Sequence, residues 1–176
     1  MEHNSFLEHN QVLRCLSDIP GRIVSLHGNE NITEFVMHDL CHASCLNLSK
    51  AAYFVDNPDF DCFKGVAGFD QRSCSASPEL IWQDPQVFSK FMQTFPFNQQ
   101  VRLINQPSTK KHKRNEQAII EMLSEKLQFE KPECFVWDMK YDNHGLLLYE
   151  KKNHDSSLIN DYIKNSASLL SLCPIH

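Results

Sequence analysis

The sequence predicts a single-domain α+β fold in which a long central helix packs on a small, mostly antiparallel sheet. Three observations lead to this prediction. The chain has 176 residues, 41% of them hydrophobic and 22% charged, which is typical of one folded domain with its own core. An apolar stretch over about 31–55 has helical spacing. Near the C-terminus, the alternating segments 134–141 and 146–150 flank a polar turn and indicate a β-hairpin with a helix after it.

The N-terminal part of the chain predicts one helix and one strand. Residues 4–17 place apolar side chains on one side of a helix, and Pro20 and Gly21 are a pair that normally ends one. Residues 22–27 are short and rich in β-formers, so they predict a strand.

The central helix is predicted over about 31–55. Asn31 and Glu34 have the spacing of a capping box, which indicates where the helix begins. Its end is ambiguous, because the apolar residues 51–55 fit either a helix or a strand, and Pro58 ends both.

The remainder of the chain predicts a long loop followed by alternating elements. The loop covers 56–78 and is rich in aspartate, glycine and serine. The further elements expected outside the hairpin are a helix over 85–95, a strand over 101–104, a helix over 115–129 and a final helix over 156–172.

Charge and cysteine content limit the classes of function. The net charge of -5 argues against a surface adapted throughout to nucleic acid or to an anionic membrane. Seven cysteines are an odd number without the dense spacing of a secreted disulfide scaffold, which favours reduced thiols. There is no secretory signal and no run of roughly 18 apolar residues. We therefore expect a cytoplasmic protein without a membrane segment.

The central helix carries the strongest chemical motif. His38, Cys41, His42 and Cys45 are spaced at 0, 3, 4 and 7, so a helix places them on one side. Two histidines four residues apart, with an acid directly after the first, are the arrangement in which imidazoles one turn apart bind zinc. The segment from Phe35 to Ala43 resembles the active-site helix of zinc metallopeptidases, and it is similar to the SprT type even at the cysteine.

This resemblance implies a zinc-dependent hydrolase with His38 and His42 as ligands and Asp39 as the catalytic base. Asp39 stands where those enzymes have glutamate, whose side chain is one methylene longer. The third histidine of the SprT type has no counterpart near the motif, since the next histidine after His42 is His112. Carboxylates and thiolates also bind zinc, and the sequence favours Asp61 or Cys62 as the third ligand.

Four other interpretations remain open. The histidine and cysteine stripe is also compatible with a structural metal site or with ordinary core packing. A cysteine nucleophile is a weaker alternative, with Cys41, Cys45 or Cys62 as the thiol and His27 or His144 as the base. The last is a non-enzymatic interaction module, a regulator or effector, that binds a partner protein through the loop 56–78 or through the basic run 110–114. The basic run is also the one patch of the sequence that is suited to binding phosphate.

Overall fold

The computed structural model describes residues 2–74, 84–152 and 157–173. The strands of these ranges are β1 (Leu48–Asn57), β2 (Cys62–Asp70), β3 (Asn105–Gln106), β4 (Glu133–Asp138) and β5 (His144–Lys151). Their α-helices are α1 (Glu2–Ser25), α2 (Ile32–Cys41), α3 (Pro85–Thr94), α4 (Pro96–Arg102), α5 (Glu116–Lys126) and α6 (Ser157–Ser166). Two short 3₁₀ helices cover Gln71–Ser73 and Ala167–Leu172.

The strands form one antiparallel sheet in the order β3-β2-β1-β5-β4. β1 lies in the centre and pairs with β2 on one side and with β5 on the other. β4 and β5 are the hairpin that the sequence predicts. Buried apolar side chains from the described helices and strands make one continuous core. The α+β class is therefore confirmed, and so is the antiparallel sheet.

The predicted helix over 31–55 is wrong beyond its first ten residues. α2 ends at Cys41, where His42 adopts an extended backbone, and Asn47 then turns the chain with a positive φ of 50°. The apolar run that follows is the central strand β1. Nearly all of its residues are buried on both faces, so it shows no strand-like alternation, and hydrogen bonds on both edges select the strand. The expected capping box is also absent, because Asn31 makes no side-chain cap bond and Glu34 contacts Arg102 instead.

Helix α1 continues through the pair that was expected to end it. The predicted strand over 22–27 is helical as far as Ser25. Ile19, Ile23 and Leu26 follow one another at helical spacing and are all buried, so packing outweighs the loss of one backbone hydrogen bond at Pro20.

The predicted loop over 56–78 contains strand β2, and its residues 75–78 lie outside the described ranges. Glycines made this segment resemble a loop, but here they allow a helix to approach the sheet. A Cβ added at Gly65 would lie 1.9 Å from the carbonyl oxygen of Val101 in α4, and one at Gly68 would lie 2.6 Å from its Cγ2. The strand predicted over 101–104 is also wrong, because α4 covers its first two residues and the short strand β3 begins only at Asn105.

The other helix predictions are confirmed with small shifts at their ends. α3 begins after Asp84, whose side chain accepts hydrogen bonds from the backbone amides of Gln86 and Val87. α5 begins after Asn115, whose side chain accepts from the amide of Gln117. The last predicted helix is α6 followed by the second 3₁₀ helix.

Helices cover both faces of the sheet. One face carries Phe54 and Asp56 of β1 and lies under α4, α5 and the segment between them. The other face carries Tyr53, whose ring stacks on Trp137 at 5.6 Å, and Trp137 donates a hydrogen bond to Ser171 in the second 3₁₀ helix. None of the helices in the described ranges has the length and apolar character needed to span a bilayer.

Candidate functional site

His38 belongs to the second half of α2 and lies inside the core. It is 3% exposed, and the edges of the Phe69 and Phe88 rings meet its ring at centroid distances of 5.1 and 5.6 Å. The ring of His42 is 6.2 Å from that of His38. α2 therefore brings the two predicted zinc ligands close together, but it turns His38 towards aromatic side chains.

His42 lies at the end of α2, where it is the C-terminal cap residue. Its Nδ1 is 2.7 Å from the hydroxyl of Ser44. Burial, and then the neighbouring His38, lower the pKa of His42 below its ordinary value. The neutral form, which is the form that binds a metal, is therefore favoured.

Asp39, the predicted catalytic base, joins two helices. Its Oδ2 is 2.5 Å from a guanidinium nitrogen of Arg22 in α1, and its Oδ1 is 3.6 Å from Nδ1 of His38. A carboxylate held by an arginine in this way stabilises the contact between α1 and α2. Its role as a base stays a prediction.

The structure does not bring the predicted third ligands to the histidines. Asp61 is in the turn between β1 and β2, and Cys62 begins β2, seven residues before Phe69. At about 3.3 Å per residue, those seven residues place Cys62 about 23 Å along the strand from Phe69, the residue of β2 whose ring contacts His38. Asp61 instead contacts His112 at 2.8 Å. In the described ranges, no three histidine, cysteine, aspartate or glutamate side chains come together closely enough to hold a metal ion. Zinc binding by His38 and His42 stays a prediction, and neither Asp61 nor Cys62 lies close enough to be the third ligand.

The thiols of α2 and of the loop after it are poor nucleophiles. Burial raises the pKa of Cys41. A hydrogen bond with Cys15, together with burial, raises the pKa of Cys45. Both thiols are therefore protonated at neutral pH, whereas a cysteine nucleophile must be a thiolate.

The basic run lies against the sheet at its opposite end from the histidines. The backbone amides of Thr109 and Lys110 each donate to Oδ2 of Asp56 at 3.0 Å, and the hydroxyl of Thr109 donates to the same oxygen. Asp61 accepts a further bond from the amide of Ser108 at 3.0 Å. Two aspartates at the ends of neighbouring strands thus hold the segment that begins the basic run.

A cavity of about 220 Å³ lies between this segment and the sheet. We call it the basic cavity. Its apolar walls are Phe63, Ile119, Val136 and Leu146, and the charged or titratable side chains that line it are Asp56, Lys110, Lys113, Arg114, Glu116 and His144.

Three cationic side chains line the basic cavity from one side. Lys110, Lys113 and Arg114 are exposed, and none of the ion pairs among the described residues involves them. His144 lines the opposite part, and its Nδ1 is 2.9 Å from Asp138. An anionic group placed here would meet several donors without displacing an existing ion pair.

The sequence indicated only part of this site. The basic run and His144 were both recognisable, the first as a patch suited to phosphate and the second as a candidate base. Asp56 was not recognised, because it follows an apolar run and precedes Asn57 and Pro58, which together look like a chain reversal. The only signal was a single carboxylate directly after the apolar run 51–55.

No family model matches this chain, and neither the curated proteins nor the solved structures include one with detectable similarity to it. The assignment of function therefore depends on the geometry of the chain itself.

Proposed function

We propose that the chain is a non-enzymatic binding module whose ligand is a small molecule with an anionic group, bound in the basic cavity. One observation carries the proposal. The hydrogen bonds from Thr109 and Lys110 to Asp56 hold the basic run over an apolar part of the sheet, so that Lys110, Lys113 and Arg114 line one cavity.

The composition of the cavity walls supports small-molecule binding. Ligand sites are mostly apolar, with a few polar groups that orient the ligand. Here Phe63, Val136 and Leu146 from three strands and Ile119 from α5 supply the apolar surface. A volume of about 220 Å³ is below the roughly 300–1,000 Å³ typical of drug-sized ligands, so the proposed ligand is small.

The charged groups favour binding over catalysis. The hydroxyl of Thr109 donates to Asp56, and Asp138 fixes the ring of His144 from outside. Among the described residues that line the cavity there is neither serine nor cysteine. A serine or cysteine nucleophile next to a base is therefore not assembled by these residues.

The test is a charge-removing double variant. Lys113→Gln with Arg114→Gln removes two cations, and glutamine retains most of the side-chain length at Lys113, whose φ is positive at 47°. Calorimetric titration with ethyl phosphate and with glutarate measures binding. We expect the variant to bind at least about 100-fold more weakly, since each of the two charge-assisted hydrogen bonds contributes about 1.5–3 kcal/mol.

The matched control removes two exposed lysines elsewhere. Lys90→Gln with Lys164→Gln changes the net charge equally but lies on α3 and α6. If both double variants weaken binding equally, the attraction is that of the whole surface, and the proposal for the basic cavity is wrong.

The zinc-dependent hydrolase predicted for His38, His42 and Asp39 is the second candidate. The proximity of the two imidazole rings, 6.2 Å between centroids, supports it. Elemental analysis of the purified full chain for zinc tests it. About one zinc per chain, lost in a folded His38→Ala, His42→Ala variant, would favour this candidate, and zinc-free folded protein would exclude it.

A further inference from the structure

We infer that the ligand of the basic cavity also carries an N–H donor, such as a primary ammonium group, which binds Oδ1 of Asp56. This inference rests on the proposed function and specifies its substrate class. The ligand would combine an amine with a carboxylate or a phosphate, as amino acids and phosphorylated amino alcohols do.

Asp56 provides the first part of the argument. Its side chain lines the basic cavity and is 3% exposed. Oδ2 accepts three hydrogen bonds, from the amides of Thr109 and Lys110 and from the hydroxyl of Thr109. Oδ1 is equally buried but accepts no hydrogen bond from any residue in the described ranges. A buried carboxylate oxygen without a donor is unfavourable, so it is a position where a ligand donor adds binding energy.

Glu150 is a buried carboxylate of the same sheet with a structural role, and its hydrogen bonds differ from those of Asp56. Glu150 lies on the adjacent strand, is 5% exposed and does not line the basic cavity. Its Oε1 accepts from the amides of Glu130 and Lys131, and its Oε2 is 3.7 Å from the guanidinium of Arg72. Both oxygens of Glu150 therefore have partners, whereas only one oxygen of Asp56 has them.

The charges around Asp56 identify the rest of the ligand. Lys110, Lys113 and Arg114 repel a ligand that is only a cation, and Asp56 and Glu116 repel one that is only an anion. A molecule with both groups satisfies both kinds of side chain. The apolar walls leave room for a short carbon chain between the two groups.

The basic segment should respond to binding. Oδ1 of Asp56 belongs to the carboxylate whose Oδ2 accepts from the amides of Thr109 and Lys110, so a donor at Oδ1 changes the charge that these amides meet. The amides of these two residues should therefore report binding by changes in their NMR signals.

The experiment uses two pairs of probes that differ in the amine. O-phosphoethanolamine and ethyl phosphate form the phosphate pair, and glutamate and glutarate form the carboxylate pair. Calorimetry on the full chain measures all four, and amide NMR spectra locate the response. We expect at least one amine-bearing probe to bind about 10- to 100-fold more tightly than its amine-free partner, with signal changes at Thr109 and Lys110.

Asp56→Asn removes the charge that attracts the amine. The amide oxygen of asparagine can still accept from the segment, so the variant should fold, and the preference for the amine should disappear. Asp61→Asn is the matched control, because Asp61 also binds this segment, through Ser108, but does not line the cavity. It should retain the preference.

The outcomes separate the inference from the proposed function. If the members of each pair bind the wild-type protein equally and in the cavity, the inference is wrong and the proposed function stands. If none of the four probes binds, the proposed function is wrong and the inference falls with it. The comparison of probes needs only the wild-type protein, so the inference remains testable even if Asp56→Asn does not fold.

Discussion

At one end of the sheet, β1 places Lys50 between Asp70 on β2 and Glu150 on β5, while at the other end it places Asp56 between Phe63 and His144. At the Lys50 end, the buried ammonium group has several partners. Nζ of Lys50 donates to the carbonyl oxygens of Leu127 and Gln128 at 2.6 and 3.1 Å, and it lies over the rings of Phe97 and Phe129.

At the Asp56 end, the hydrogen-bonding groups are only partly satisfied. Its carboxylate has donors on one oxygen only, and three exposed cations border the adjacent cavity. Both ends bury charged groups from the same central strand. The comparison shows that burial of a carboxylate does not by itself indicate function, and that the informative feature is a buried oxygen without a partner beside a cavity.

The largest expected effect comes from removing the structural carboxylate. Glu150→Ala leaves the amides of Glu130 and Lys131 without their acceptor, and Arg72 without one of its carboxylates. We expect the free energy of unfolding, measured by urea denaturation, to fall by about 2–4 kcal/mol.

Asp56→Ala should be less harmful than Glu150→Ala. It also removes the acceptor of two amides and of the Thr109 hydroxyl, but it eliminates an oxygen that has no partner, and the freed donors border a cavity that water can enter. We expect a loss of about 1–2 kcal/mol. Glu125→Ala, at an exposed position on α5, is the control and should change stability by less than about 0.5 kcal/mol. Equal losses at Glu150 and Asp56 would contradict the contrast between the two ends.

A smaller effect is expected at the contact that holds the basic segment. Thr109→Val replaces the hydroxyl that donates to Asp56 by a methyl group of similar size. The two backbone amides still donate to Oδ2, so we expect a loss of about 1 kcal/mol in urea denaturation. Amide hydrogen exchange should become faster at Lys110 and remain unchanged at Lys131, whose amide donates to Glu150 at the other end of the sheet. Faster exchange at both residues would indicate a general loss of stability instead.

The smallest effect is a pH dependence at the Lys50 end. Burial lowers the pKa of Lys50 below its ordinary value of 10.5, and Asp70 opposes this shift. Between the lowered pKa and 10.5, the unfolded chain holds a proton that the folded chain has released, so this lysine makes stability rise with pH. Below the lowered pKa, Lys50 is charged in both the folded and the unfolded chain, so the full free-energy cost of burying its charge lowers the stability.

Lys50→Met removes this contribution. The difference in urea midpoint between wild type and the variant should therefore change in favour of wild type as the pH rises from about 7 to about 10. Parallel pH profiles would show that Lys50 titrates in the folded chain as it does in the unfolded one.

Several elements could be predicted from the sequence because their signals are local. The hairpin has alternating strands on both sides of a polar turn, and α3 has an aspartate cap followed by proline. The failures have non-local causes. β1 is a strand because β2 and β5 pair with both of its edges, and α1 passes Pro20 because Ile19 and Ile23 pack in the core.

The candidate sites show the same division. The spacing of His38 and His42 correctly indicated that their rings lie near each other. It could not show that Phe69 and Phe88 would surround His38, since Phe69 reaches it from a strand 31 residues later. Nor could it show that Asp61 would contact His112 instead of approaching α2.

The sequence by itself determined the α+β class, the C-terminal hairpin and the presence of a basic run before α5, because composition, alternation and capping residues act over a few neighbours. Only the tertiary structure decided where the apolar stretch after His42 becomes a strand and which groups meet at each end of that strand. The reason is that Asp56 and Thr109, 53 residues apart, are joined by hydrogen bonds whose formation depends on the packing of the whole sheet.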